Sequence, residues 1–198
     1  MSHLDVKNSF WQDTLIYVGR VRVFGKTDWW AYIAWVGLML GLLFSVSGFV
    51  LFGWSQGVQY PAYVWNVPIG IFIFVVAIAF DTIGHRTVYK AELLKGEALV
   101  HHITIFAGIT SVLALCLGYS ARDFWRLPAL VLIILAVFYS MIDEALHWRR
   151  YLMKQSDRVE MWSHFFIFLG HAIMSIAWWH WFEEGYPGVA ETLAALGY

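Results

Sequence analysis

Residues 66–86 read NVPIGIFIFVVAIAFDTIGHR, a long apolar run that ends in Asp81 and His85. A helix that crosses a bilayer needs roughly 20 predominantly apolar residues, because the hydrocarbon core is about 30 Å thick and each helical residue adds about 1.5 Å. Four other runs in the chain meet the same requirement. The sequence therefore predicts an all-α integral membrane protein with five transmembrane helices, at residues 30–52, 66–84, 98–118, 127–146 and 161–182.

The composition supports this prediction. Of the 198 residues, 60% are hydrophobic and 14% are charged, whereas soluble domains are about 45–50% apolar and about 25% charged. The net charge is −1 and no basic stripe occurs, so nucleic-acid binding is not expected. The single cysteine, Cys116, excludes a disulfide framework within the chain and any metal site built from several thiolates.

The distribution of Lys and Arg predicts the orientation. If five helices alternate, most basic residues fall on one side, namely Lys7, Arg20, Arg22, Lys26, Arg86, Lys90, Lys95, Arg149, Arg150, Lys154 and Arg158. The positive-inside rule then places the amphipathic N-terminal segment 1–29 in the cytoplasm and the tail 183–198 outside, in a bacterial inner membrane. Segment 1–29 is expected to lie on the cytoplasmic membrane surface, or instead to cover the functional site, and residues 189–196 are expected to form a short helix.

Two stretches of the chain resemble each other at an offset of 62 residues. Residues 81–108 read DTIGHRTVYKAELLKGEALVHHITIFAG and residues 143–170 read DEALHWRRYLMKQSDRVEMWSHFFIFLG. Both contain Asp-x3-His-x16-His, which aligns Asp81 with Asp143, His85 with His147, and His102 with His164. We interpret this as a duplicated helical hairpin, with units at 66–118 and 127–182. Spans two to five then form a four-helix bundle, and span one is an addition.

Ionisable side chains inside a spanning helix are costly and mark functional sites by default. Asp and His four residues apart share one helix face, and the aligned His residues begin the returning helices at similar depth. The predicted metal ligands are Asp81, His85, His102, Asp143, Glu144, His147, Glu160 and His164. Further candidates for metal or substrate contact are His101, His171 and Glu97.

Some of these assignments have alternatives. His101 and His102 point about 100° apart on a helix, so one of them is expected to face the site; the repeat favours His102, whereas the four-residue spacing from Glu97 favours His101. Asp81 and Asp143 have a structural alternative, which is pairing with Arg86 and Arg150. A structural role is expected for the isolated His180.

The ligand types restrict which metal ion is expected. Imidazole and carboxylate without a thiolate set suit non-haem iron, manganese or zinc, with copper an alternative, and duplicated sets supply two ions, for which we expect iron. Glu144-x-x-His147, within DEALH, resembles the Asp-Glu-x-x-His element of ferritin-like di-iron proteins over five residues. The first hairpin differs, because it has Asp81-x3-His85 and no Glu-x-x-His.

The layout also resembles membrane fatty-acid hydroxylases and desaturases, although their His-x-x-His-His boxes are absent. The resemblance implies oxygen-dependent oxidation of a lipophilic substrate at the cytoplasmic membrane face, with electrons from a cytoplasmic donor or a quinol. Alternatives are a b-type haem cytochrome or quinol electron-transfer subunit, a zinc hydrolase, a metal transporter, and a metal-binding accessory subunit of an oligomer or larger membrane complex.

Overall fold

The structure, a computed structural model, describes residues 8–88, 96–153 and 157–198, except for the side chain of Glu97. These residues form helices joined by short turns, with no strand among them. The α-helices are α1 (Phe10–Gly19), α2 (Lys26–Ser55), α3 (Asn66–Thr87), α4 (Glu97–Leu117), α5 (Arg122–Leu152), α6 (Arg158–Glu183) and α7 (Val189–Leu196). Short 3-10 turns at Arg20–Val23 and Ala62–Trp65 precede α2 and α3.

The prediction of five spans is confirmed, since α2 to α6 are each long and apolar enough to cross a membrane. The helices mostly extend beyond the predicted limits. The span predicted to begin at residue 127 starts earlier, because α5 already begins at Arg122 and continues through Pro128. Charged residues interrupt an apolar run, but they do not interrupt a helix when they lie at the boundary of the hydrocarbon region.

The spans pack in pairs. α3 lies along α6 and α4 lies along α5, while α5 and α6 join the two pairs and α2 packs on α3. In the described ranges the α4 backbone does not come close to α2 or α3. The sequence neighbours α5 and α6 therefore pack as a hairpin and α3 and α4 do not, so the duplicated hairpins and the four-helix bundle remain predictions.

Two glycines set the close packing of α3 on α6. A Cβ added at Gly70 would lie 2.5 Å from the backbone nitrogen of Met174, and one added at Gly170 would lie 2.6 Å from the backbone nitrogen of Phe74. Any side chain at either position would collide with backbone, which cannot move independently of its helix. The helix pair that carries Asp81, His85 and His164 is thus held at short distance.

The two ends of the bundle differ. At one end, which we call the basic end, α3 and α5 finish and α4 and α6 begin. At the opposite end the core is apolar and includes Val67, Leu115 and Phe182. The predicted helix at 189–196 is confirmed as α7, which packs against α2 there.

The N-terminal segment covers part of the basic end. Tyr17 of α1 is 1% exposed and packs with Ile83 of α3 and Val159 of α6. Two ion pairs flank this contact: Arg20 Nη1 lies 2.6 Å from Asp157 Oδ2, and Arg158 Nε lies 2.7 Å from Asp13 Oδ2. Of the basic residues used to predict orientation, Lys7, Lys90, Lys95 and Lys154 lie outside the described residues.

Candidate metal centre

Four helices bring six metal-ligating side chains together at the basic end. α3 supplies Asp81 and His85, α4 supplies His101, α5 supplies Asp143 and His147, and α6 supplies His164. The helical rise explains the pairing of Asp with His, because residues four apart stand on one face. We call these six residues the His/Asp cluster. Its members are buried except His85 and His101, which are half-buried.

The first group in the cluster consists of Asp81, His85 and His164, whose ligand atoms all lie within 4.8 Å of one another. His164 Nε2 is 2.7 Å from Asp81 Oδ1, and His85 Nε2 is 3.5 Å from Asp81 Oδ2. The three side chains therefore converge on one small volume between α3 and α6.

The second group consists of Asp143, His147 and His164 and meets the same 4.8 Å limit. His147 Nε2 is 3.9 Å from Asp143 Oδ1, and His164 Nδ1 is 3.9 Å from Asp143 Oδ2. The rings of His147 and His164 are stacked, with centroids 3.2 Å apart. His164 is thus common to both groups and presents one ring nitrogen to each carboxylate.

The structure places His101 in the cluster and His102 outside it. His101 Nδ1 lies 3.3 Å from Asp143 Oδ2, and its ring centroid is 5.0 Å from that of His85. The His102 side chain is exposed, and its Nδ1 faces the Ala98 carbonyl oxygen of its own helix. Of the two alternatives that the sequence left open, His101 lies with the other candidate ligands and His102 does not. The repeat aligns His102 with His164, but the residue of α4 that faces Asp143 and His85 is His101.

Glu160 stands behind the cluster. Its side chain is 1% exposed, and its Oε1 lies 3.3 Å from His147 Nδ1 and 3.4 Å from Arg150 Nη1. His147 therefore turns one nitrogen toward Asp143 and the other toward Glu160. A carboxylate on the far nitrogen of a ligating histidine fixes the orientation of the ring and raises its basicity. Glu160, predicted as a ligand, thus contacts the His147 nitrogen that faces away from Asp143.

The remaining candidates lie apart from the two groups. Glu144 occupies the neighbouring face of α5, in a groove lined also by Met141, Trp148 and Leu152. His171 lies two helical turns farther along α6, on the same face as His164, and is 5% exposed. Glu97 begins α4, but its side chain lies outside the described part of the structure.

The structural alternative required Asp81 and Asp143 to pair with Arg86 and Arg150. The two arginines instead contact other carboxylates. The Nε and Nη2 atoms of Arg86 both donate to Asp28 Oδ1, at 2.9 and 2.6 Å, and Arg150 faces Glu160. Sequence inspection missed Asp28, which joins α2 to α3 at the basic end. His180 is exposed and lies 3.3 Å from Glu184, consistent with a structural role.

The cluster has a chemical consequence. Two buried aspartates must have cationic partners, since an uncompensated buried charge is strongly unfavourable. Protonated histidines or divalent metal ions provide that compensation, and the convergence of imidazole nitrogens with carboxylate oxygens is the donor set of a transition-metal site. The residues present therefore fit a bound metal in each group.

A cavity of about 230 Å³ adjoins the cluster. Four residues of the cluster line it, namely Asp81, His101, Asp143 and His164, and its wall is otherwise largely apolar. From the sequence we expected the first span to be an addition to the bundle. In the structure, Trp35 and Met39 of α2 form part of the cavity wall. An apolar space beside a polar centre can hold a lipophilic molecule next to the metal-ligating groups.

Comparison of the chain with protein-family models, with curated proteins and with solved structures gives no match in any of the three. What the cluster does is therefore inferred from the residues and their geometry.

Proposed function

We propose that this chain is an integral membrane oxidoreductase with a non-haem di-iron centre in the His/Asp cluster, acting on a lipophilic substrate at the cytoplasmic membrane face. The observation that carries the proposal is the convergence of four histidines and two aspartates from four helices on one buried volume. Few other arrangements account for so many ionisable groups in segments long and apolar enough to span a bilayer.

The donor set favours iron. Each group has two imidazoles and one carboxylate when His164 is counted in both. Two histidines and one carboxylate, with positions left open, are the ligand set of non-haem iron(II) oxygenases. His101, beside Asp143, supplies a further imidazole, so that two ions share four histidines and two aspartates. Manganese, zinc and copper bind the same donor types and are separated by metal analysis.

The cavity favours a substrate from the bilayer. It meets the cluster at Asp81, His101, Asp143 and His164 and is otherwise mostly apolar. In the hydroxylation that we propose, one C–H bond of the substrate and the O–O bond of dioxygen are broken. One oxygen atom forms the new C–O–H group and the other leaves as water, with two electrons and two protons supplied by a cytoplasmic electron donor or a quinol.

The orientation belongs to the same proposal. With the basic end in the cytoplasm, as the positive-inside rule indicates, a soluble electron donor approaches the end of the bundle where the cluster lies. The duplicated hairpin is also part of it, since Asp81–His85 and Asp143–His147 are equivalent pairs that serve one ion each.

The haem alternative has less support from the geometry. A bis-histidine haem requires two imidazoles that face each other across the porphyrin plane. His147 and His164 are instead stacked ring on ring with centroids 3.2 Å apart. The rings are too close to enclose a porphyrin in this arrangement.

Metal analysis combined with an absorption spectrum tests the proposal on the full chain purified in mild detergent. We expect about two irons per chain and no Soret band. A Soret band would replace the proposal with a b-type cytochrome, and two zinc ions in place of iron would replace it with a hydrolase. A chain that binds no metal after incubation with ferrous iron would contradict the metal centre itself and favour an accessory subunit.

A further inference from the structure

The cavity beside the cluster has an opening that faces away from the bundle. Its wall includes Leu38 of α2 and Leu113 of α4, whose side chains are 56% and 55% exposed. The backbones of α2 and α4 do not come close to each other within the described residues, so we place the entrance of the cavity between these two helices. The entrance lies between two of the five apolar spans, so it faces the hydrocarbon of a bilayer.

His171 is a polar group in the wall of this largely apolar space, apart from the polar residues of the cluster. It is 5% exposed and lines the cavity, and its Nε2 has no hydrogen-bond partner among the described residues. Seven residues separate it from His164, which places it about 10 Å farther from the basic end along α6. A buried ring nitrogen without a partner is unfavourable unless a bound molecule supplies one.

Space for such a molecule lies opposite His171. Gly108 of α4 has no side chain, and a Cβ built there would lie 3.9 Å from His171 Nε2, an ordinary contact distance. A methyl group would therefore be accommodated, whereas a larger side chain would fill the region in front of the imidazole. Phe74 stands near the ring on the α3 side, with centroids 6.1 Å apart.

We infer that the cavity is a binding site for a slender membrane lipophile that carries a hydroxyl or carbonyl oxygen, which hydrogen-bonds to His171 Nε2. The volume of about 230 Å³ lies below the roughly 300–1,000 Å³ of pockets for drug-sized ligands. It suits one acyl chain or one ring. The ligand reaches the cavity laterally between α2 and α4 and extends toward Asp81 and Asp143.

This inference rests on the proposed function for the reaction that follows binding, whereas the binding itself requires no metal. Two sources provide the oxygen function on a slender lipophile: the ring of a quinone or quinol, and an alcohol or carbonyl group on an acyl chain. Competition by a short-tailed quinone or by a long-chain alcohol, each used alone, distinguishes the two sources.

Photolabelling in lipid nanodiscs tests the inference on the full chain. The probes are decanol and decane that carry the same diazirine group, and mass spectrometry locates the label. We expect decanol to label peptides of α4 and α6 that line the cavity about two- to tenfold more than decane, the effect of one hydrogen bond. In His171→Phe the labelling by decanol should fall to the level of decane.

Two further variants and one control make the result specific. Gly108→Leu should reduce labelling by both probes, because it fills the cavity, and His171→Gln, which keeps a hydrogen-bonding side chain, should retain part of the preference for decanol. His180→Phe, at the exposed His180, should label as the wild type does. The wild-type comparison of the two probes remains decisive even if a variant fails to fold.

Equal labelling of the wild type by decanol and decane, or unchanged preference in a folded His171→Phe protein, would overturn the inference. Metal content is measured on the same samples. A wild-type protein without metal that still shows labelling dependent on His171 would contradict the proposed di-iron centre and leave the binding site standing. A metal-loaded protein whose labelling does not depend on His171 would overturn the binding site and leave the proposed di-iron centre standing.

Discussion

His164 lies between the two aspartates of the cluster, with Nε2 2.7 Å from Asp81 Oδ1 and Nδ1 3.9 Å from Asp143 Oδ2. No other residue belongs to both of the ligand groups found in the described part of the chain. His85 serves the first group alone and His147 the second. Loss of the His164 ring should therefore affect metal binding differently from loss of His85 or His147.

This difference predicts metal stoichiometry. His85→Ala and His147→Ala should each lower the metal content from about two ions to about one per chain, while His164→Ala should remove both. Elemental analysis of the purified variants measures the content, and His180→Ala, at an exposed histidine of the far end, should retain full occupancy. Full metal content in both His85→Ala and His147→Ala would contradict the assignment of the cluster.

The position of Glu160 predicts that its substitution lowers the affinity for metal without abolishing the metal site. Its carboxylate lies 3.3 Å from His147 Nδ1, on the side of the ring away from Asp143. Glu160→Gln should weaken metal binding about 10- to 100-fold, because the amide no longer orients and polarises the imidazole as a carboxylate does. Metal titration against a competing chelator measures the change.

The matched control for this variant is Glu184→Gln, since Glu184 also lies 3.3 Å from a histidine, His180, but is exposed. It should bind metal as the wild type does. Complete loss of one metal ion in Glu160→Gln would show that Glu160 is itself a ligand, as the sequence alone suggested.

Sequence information located most of the cluster because its signal is local. Asp81 with His85 and Asp143 with His147 are four residues apart, and this spacing determines their common face in any helix. Local sequence spacing does not determine which of His101 and His102 faces the cluster. The choice depends on the rotation of α4 about its axis, which is set by packing on α5.

The position of α2 could not be deduced in the same way. Its small residues Gly37, Gly41, Ser45 and Gly48 share one helix face, but a Cβ built at any of the three glycines would meet nothing within 4 Å. This stripe therefore does not mark the face of α2 that packs on the rest of the bundle. Likewise, the sequence offered Asp81 as a partner for Arg86, whereas the packing of α2 on α3 brings Asp28 to it. Apolar periodicity predicts that a helix spans the membrane, but it does not determine its neighbours.

The close crossing of α3 and α6 predicts that a large side chain at position 170 destabilises the fold. Gly170→Leu should destabilise the fold by about 1–3 kcal/mol or more, because its side chain would meet the backbone of Phe74. The melting temperature in detergent measures the loss, and metal content should fall with it because Asp81 and His164 lie on these two helices. Gly48→Leu is the control, since nothing lies within 4 Å of a Cβ at that position. Equal melting temperatures for the two variants would contradict the close approach of the helices.

The docking of α1 predicts a local effect that spares the metal centre. Tyr17 is 1% exposed between Ile83 and Val159, so Tyr17→Ala should cost about 3–5 kcal/mol of docking energy and release α1 from α3 and α6. Hydrogen exchange should then accelerate at residues 10–23, while metal content stays at the wild-type level because α1 supplies no ligand to either group. Leu15→Ala, at a position 73% exposed on the same helix, should leave exchange unchanged. Loss of metal in Tyr17→Ala would instead mean that the docked segment helps to hold the ligands in place.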